Sequence, residues 1–580
     1  MNGPNTQNRL LAILLMTVAC LVLVVGTLSI VANPSARSSI AGLFGGGGST
    51  SGVSGGGDGS TSGGSDGGSS SVDVGDIKNV LRLASGDPVT MDPHLACDSL
   101  SAEYIVEIFS GLVTITPDLR LGLDLAESWE VSKDGLVYTF VLKPDAVFHT
   151  GRRVTADDVK WSIERASSRV PLGASRPSTT ALAYLGDIDG VRDNFFGLAD
   201  SVSGITVVDE RTLTMRLTEP LPPDLFLSKL TYPTAFVVDR QQIEANPRNW
   251  TRRPNGTGPY RLVEWRLGER IVLEANDRFH LGVPSVEQVL YTLSGGSTLT
   301  RFENDELDIA SVSLADIDRA RDPQSDLNPL YKNFPQFTIS YIAFNTAVPP
   351  FDDPNVRKAL ALSIDRQKIA EVTFNNMLAP ATGILPPQLP AYTPGDKTFP
   401  FDPDAARAAL AASSYGSADN LPPIVLTEVG GGAAARVDTQ AFLEQWRNEL
   451  GINVEIRQTD FATFLDDQDS GRLQMFNAGW IMDYPDPEDI LDLKFHSASS
   501  LNDVGYSNAV VDALLEQARV ERDSAIRNDL YKQAEQLIID DVAWIPLYFS
   551  QSHVVVNEAV GGWFEPPMVI PRLRFINIER

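Results

Sequence analysis

Apolar and polar residues alternate at Tyr138-Thr139-Phe140-Val141-Leu142 and again at Leu213-Thr214-Met215-Arg216-Leu217. A period of two predicts strands with one buried face. Elsewhere the period lengthens to that of a helix. After Asp353-Pro354, the residues Val356, Ala359, Leu360 and Ile364 form one apolar stripe. Asp353-Pro354 and Asp402-Pro403 each set a capping carboxylate before a proline at the first helical position, where no N–H is needed. Thr155-Ala156-Asp157-Asp158 predicts another helix start, with an N-cap and two acids in the first turn ahead of Val159 and Ile163.

The stretch after Leu421 predicts an architecture. Ile424-Val425-Leu426 reads as a strand, and the next helix carries Phe442, Leu443, Trp446 and Leu450 and stops at Gly451. Ile452-Asn453-Val454-Glu455-Ile456 alternates as the next strand. A helical turn around Phe461–Leu465 then leads to a third strand at Leu473–Ala478. This βαβαβ order implies a parallel sheet with helices on its faces. Two helices around Val510–Ala518 and Ala525–Ile539 precede a final strand at Trp544–Phe549, and no repeat at solenoid periods is present.

The N-terminus is of another kind. Leu10 to Ala32 is 23 residues without a charge. As a helix it would span roughly 35 Å, enough for a bilayer core of about 30 Å and longer than the apolar stretch of a cleaved signal. It reads as a transmembrane anchor or uncleaved signal. The rival is lipidation at Cys20, since Thr17-Val18-Ala19-Cys20 resembles a bacterial lipobox apart from Thr17. Residues 33–77 are rich in Gly and Ser and predict a flexible linker with an end-to-end distance of roughly 35–40 Å. Two G-x-S-x-G matches in it lack a strand–helix setting and carry no nucleophile. Folding is expected from about Lys78.

Composition narrows the function. The 580 residues exceed one compact core, and 43% hydrophobic with 21% charged content is globular. With 47 basic against 75 acidic residues the formal charge is −28, which argues against a nucleic-acid partner. Of the two cysteines, Cys97 alone lies in the folded part, so no internal disulfide is expected and a small buried filler is the expected role. His94, His149, His280, His496 and His553 lie far apart without metal-ligand spacing, and no metal or cofactor is expected. Gly256-Thr257-Gly258 lacks the third glycine of a dinucleotide fingerprint and is followed by Pro259. A Walker A sequence is absent, so this chain would not hydrolyse ATP.

In open α/β sheets ligands bind beyond the carboxyl ends of strands, which is where Gly479-Trp480-Ile481-Met482-Asp483-Tyr484-Pro485-Asp486-Pro487 comes after Ala478. Trp480 offers an apolar face with one donor, Asp483 an anion suited to an ammonium group, and the prolines a stiff backbone. The same composition suits turn capping by Asp483 and Asp486 with Trp480 in the core.

Four blocks carry a resemblance. The first runs from Leu125-Ala126-Glu127-Ser128-Trp129-Glu130-Val131-Ser132-Lys133-Asp134-Gly135 through Phe148-His149-Thr150-Gly151 to Val159. Gly256-Thr257-Gly258-Pro259-Tyr260 is the second, and Ala343-Phe344-Asn345-Thr346 through Leu360 the third. The fourth is Gly479–Pro487 with Gly505-Tyr506-Ser507-Asn508 after it. Together they resemble the extracytoplasmic solute-binding proteins of oligopeptide, dipeptide and nickel ABC importers, over nearly all of residues 78–580.

The resemblance implies a two-lobed, hinge-closing α/β fold of the periplasmic-binding-protein type with an inserted domain. Residues 78–112, 232–335 and 540–580 would form lobe I, 113–231 the inserted domain and 336–539 lobe II, after a tail at 1–9 and the anchor at 10–32. It implies a monomeric binding protein, not an enzyme, held at the outer face of the membrane and delivering peptides or a related solute to permease subunits. Asp483, Trp480 and Tyr484 form the expected ligand-binding set, with Asp483 on the ligand's α-amino group. His149 and Arg152-Arg153 belong to the signature and read as a turn. Nickel chelate, haem and oligosaccharide binders share the scaffold, and a ligand sensor or a secreted hydrolase are the competing classes.

Overall fold

The computed structural model describes residues 79–580 apart from 179, 396, 433 and 500. The anchor and linker expected before them lie outside the described residues. Strand β1 (Val80–Ala84) and helix α1 (Ser99–Ile108) come first. The chain then leaves to build an antiparallel sheet of β2 (Ala126–Val131), β3 (Val137–Leu142), β4 (Ile205–Val207) and β5 (Thr212–Arg216), in the order β2-β3-β5-β4. Helices α2 (Ala156–Ala166), α3 (Ala181–Leu185) and α4 (Pro223–Lys229) accompany it. Only afterwards do β6 (Tyr260–Arg266), β7 (Arg270–Ala275) and β8 (Gln288–Thr292) complete the first sheet, in the order β1-β8-β7-β6.

A third sheet takes up most of the remaining chain. It comprises β9 (Ile309–Ser311), β10 (Tyr331–Phe344), β11 (Ala379–Pro380), β12 (Ile424–Val429), β13 (Val454–Thr459), β14 (Met475–Ile481) and β15 (Trp544–Val556). The order is β9-β15-β10-β14-β12-β13, with β11 paired to β15. Helices α5 (Val437–Leu450), α6 (Glu488–Phe495), α7 (Ala509–Val520) and α8 (Ser524–Asp540) connect its strands.

Local chemistry sets many of these boundaries. Thr155 and Asp158 form a reciprocal capping box at α2, Asp353 and Asp402 cap the helices that begin at Pro354 and Pro403, and Gly451 ends α5 at φ 71°. The sheet departs from expectation in two respects. Strands β12, β13 and β14 are parallel as predicted, but β14 also pairs antiparallel with β10 and β10 antiparallel with β15, so the sheet is mixed. Strand β14 also continues past Ala478, because Gly479, Trp480 and Ile481 find partners in Ser340, Ile339 and Thr338. Trp480 is therefore a strand residue. Cys97 departs as well: it is exposed, not a buried filler.

Strands β10 and β15 are long enough to serve several cores, and Phe337, Ile339, Tyr341 and Phe549 belong to the largest. Ile342, Phe344, Ile545 and Leu547 pack with α5 residues Phe442 and Trp446. Val554 and Val556 instead pack with Leu81, Leu83, Ile271 and Leu273 of the first sheet. Between these halves the β10–β15 register shifts, at Pro335–Ile339 and at Ser340–Tyr341. Such bulges bend paired strands and increase their twist.

The glycine block at 256–258 is explained by close approach. A Cβ at Gly256 would overlap the Ile108 carbonyl oxygen, and one at Gly258 would lie 2.6 Å from that of Glu107. Gly258 donates its N–H to Ile108 (2.9 Å), and Thr257 accepts the Ser110 N–H through its hydroxyl (3.0 Å). The turn thus packs on the C-terminal end of α1. Gly256→Ala is expected to lower stability by about 1–3 kcal/mol in a denaturant titration, as overpacking does, with the unfolding slope unchanged.

Candidate functional site

The end of β14, the loop after it and the first turn of α6 carry Asp483, Asp486, Glu488, Asp489 and Asp492 within ten residues. Glu488 and Asp489 fall in the first turn of α6, where unpaired N–H groups and the helix dipole favour negative charge. Most of these acids are matched. Arg527 grips Asp486 with two hydrogen bonds of 2.7 and 2.8 Å. Arg519 holds Asp492 at 2.7 Å, and Lys229 lies 3.2 Å from Glu488. Two are not: among the described residues, no ion pair involves Asp483 or Asp489.

Asp489 is fully buried and organises the loop. Its Oδ2 accepts both the Trp480 indole N–H and the Asp483 backbone N–H, each at 3.1 Å, while its Oδ1 has no partner. Burial and the neighbouring Asp483 charge push its carboxyl well above the usual range. The Asp483 carboxyl is pushed up to about 6 by burial, opposed by one hydrogen bond. That bond comes from Tyr184, whose hydroxyl donates to Asp483 Oδ2 from 299 residues away. Asp483 is partly buried and keeps some accessible surface.

Aromatic rings frame the carboxylate. Tyr184 stacks on Tyr232 with ring centroids 4.1 Å apart and planes 7° from parallel, and meets Tyr484 edge-on at 6.0 Å. Burial, Asp483, Cys97 and Asp98 all push the Tyr232 hydroxyl up, so the N-cap of α1 also approaches this point. Trp480 is half-buried, with the Lys494 ammonium 5.0 Å from its ring centroid and that ammonium paired to Asp503 at 2.6 Å. Tyr484 is turned inward at 1% exposure, its hydroxyl donating to Glu488.

Asp483, Trp480 and Tyr484 thus lie in one segment, and the Asp483 carboxyl takes a hydrogen bond from Tyr184 without an ion pair among the described residues. Asp486 is committed to Arg527. His149 donates to the Gly258 carbonyl (3.2 Å), and burial lowers its pKa to about 4. Arg152 is committed to Asp158 and Asp239 (2.9 and 2.7 Å). Sequence reading missed Tyr184, Tyr232 and Asp489. The tyrosines sit in apolar surroundings that read as core, and Asp489 looks like any first-turn acid. No group of three or more His, Cys, Asp or Glu among the described residues is arranged to hold a metal ion, and none of their helices is long and apolar enough to cross a membrane.

Known proteins resemble this chain over most of its length. Oligopeptide-binding protein OppA of Bacillus subtilis is 28% identical over 501 residues, covering 83% of this chain and 89% of its own. The periplasmic oligopeptide-binding protein OppA of Escherichia coli is 29% identical over 507 residues, covering 85% and 91%. The crystal structure of a periplasmic oligopeptide-binding protein from Borrelia burgdorferi superposes with a TM-score of 0.73 at 26% identity, over 87% of this chain and 100% of that one. The fold is accordingly the two-lobed α/β fold of periplasmic binding proteins. Residues 120–502 match the family model described as bacterial extracellular solute-binding proteins, family 5 Middle, and the chain belongs to that family.

Proposed function

We propose that this chain captures peptides between its lobes, with Asp483 holding the ligand's terminal ammonium, and delivers them to the permease of an ABC importer. The observation that carries the reading is the pair Asp483–Asp489, two interior carboxylates without a protein cation beside acids that each have one. A buried anion is costly unless a cation or several donors replace its water. A peptide's α-ammonium supplies both, through charge-assisted hydrogen bonds. The names of the relatives support a peptide as the ligand class.

Trp480 and the Tyr184–Tyr232 stack suit the first side chains of a ligand, since aromatic faces accept many shapes. Backbone pairing of the ligand as an added strand would supply affinity with little sequence demand. In this reading β10 and β15 are the hinge strands between lobe I, carrying the inserted domain at 113–231, and lobe II. Residues 10–32 would anchor the monomer at the outer membrane face, and the linker at 33–77 would let it reach the permease. The ligand is bound and released unaltered.

Two measurements check the role of Asp483. Calorimetry should show a peptide with a free N-terminus binding at least about 30-fold more tightly than its N-acetylated form, the scale expected when one partner of a buried charge pair is removed. Affinity should hold above the Asp483 pKa of about 6 and weaken below it, approaching tenfold per pH unit, with one proton released on binding. Affinity that stays flat from pH 8 to 5 would remove Asp483 from the site.

Without ligand the linkage runs the other way. Asp483 binds its proton more tightly folded than unfolded, so its contribution to stability is complete below about pH 4 and lost as pH rises through about 6. Asp483→Asn should therefore melt above the wild type at pH 8 and converge with it near pH 4.

A further inference from the structure

We infer that Lys229 is a positioning residue for ligand capture: by pairing with Glu488 it fixes the start of α6, and the Asp483 loop before it, against the inserted part of the chain. Lys229 ends α4, and its side chain is 5% exposed. Its ammonium lies 2.9 Å from Asp187 Oδ2 and 3.2 Å from Glu488 Oε1. Asp187 belongs to the same part of the fold as Lys229. Its backbone carbonyl accepts the Thr218 N–H, and the adjacent Ile188 bridges Leu217 at the end of β5. Glu488 belongs to the other side, opening α6, which packs on α7 and α8 beside the third sheet.

Glu488 is aimed by more than this cation. The Tyr484 hydroxyl donates to its Oε2, which leaves Oε1 for Lys229. Burial and the charges of Asp492 and Asp187 push the Glu488 carboxyl up, and Lys229 pulls it down. Two carboxylates within 3.2 Å of one nitrogen repel each other strongly once that nitrogen is removed, because the interior screens poorly. Other contacts cross the same junction, among them Tyr184 to Asp483, Tyr184 edge-on to Tyr484 and Arg522 to the Asp134 carbonyl (3.0 Å). None of these neutralises Glu488. Lys229 is thus the charge that lets two acidic surfaces close on each other, and a receptor that closes less often binds more weakly in proportion.

The test combines binding with a distance that needs no ligand, and only its binding arm rests on the peptide reading above. Full-length variants would carry nitroxides through Leu198→Cys and Val510→Cys on a Cys20→Ser, Cys97→Ser background, read by pulsed electron spin resonance. Lys229→Met should weaken binding of a free-N-terminus peptide at least tenfold and broaden the label distances toward longer values, with or without peptide. Lys229→Met combined with Glu488→Met, which replaces the pair by apolar side chains, should bring affinity back within about threefold and restore the distances. If Lys229→Met does not fold, the double variant and Lys229→Arg decide, each expected near wild type in both readouts. Unchanged distances in Lys229→Met, or a double variant no better than the single one, would overturn the inference. A wild type that binds no peptide would overturn the peptide reading and leave the distance arm to judge Lys229.

Discussion

Taking a carboxylate out of water costs several kcal/mol unless a cation or a set of donors takes the water's place. The segment from Asp483 to Asp492 does this five times in ten residues, and much of the surrounding structure is arranged around that cost. Arg527, Arg519 and Lys229 reach it from α8, α7 and α4. The first turn of α6 adds its unpaired N–H groups, one of them donating from Glu488 to Asp486. Asp489 is satisfied differently, by an indole and a backbone amide, and in accepting them it holds Trp480 and Asp483 in place. Asp483 is left with a hydroxyl, which is a donor but no counter-charge.

This arrangement joins residues far apart in the chain. The groups that meet at Asp483 come from distant parts of the chain: Tyr184 from helix α3, Tyr232 from the segment after α4 and Asp489 from α6. Of the long strands β10 and β15, Ile342, Phe344, Ile545 and Leu547 pack in one core, Val554 and Val556 in a second, and Phe337, Ile339, Tyr341 and Phe549 in a third. A ligand that adds contacts only when the two sides meet shifts the balance toward closure by its differential affinity.

Family membership rests on broad similarity, whereas the candidate site depends on few atoms. The signature from Leu125 to Val159 marks the family, yet its side chains do structural work. Thr155 and Asp158 cap α2, and Arg152 ties Asp158 to Asp239. Gly256 and Gly258 allow a turn to lie against the carbonyl end of α1. Gly479–Pro487 differs in kind, because it carries a charge the fold does not neutralise.

Much of the local structure was legible in the chain itself. Caps at Thr155, Asp353 and Asp402, the stop at Gly451 and the apolar stripes depend on residues three or four positions apart, and such interactions are written in order along the sequence. The motif with Trp480 and Asp483 was legible for the same reason. The mixed sheet was not, since a strand's partners are chosen across hundreds of residues and β14 takes β12 on one side and β10 on the other. Nor was the partner of Asp483, a tyrosine 299 residues earlier in a short apolar helix. Sequence determined which carboxylates this segment carries; tertiary structure decided which of them are neutralised, because a counter-charge acts through distance in space and not along the chain.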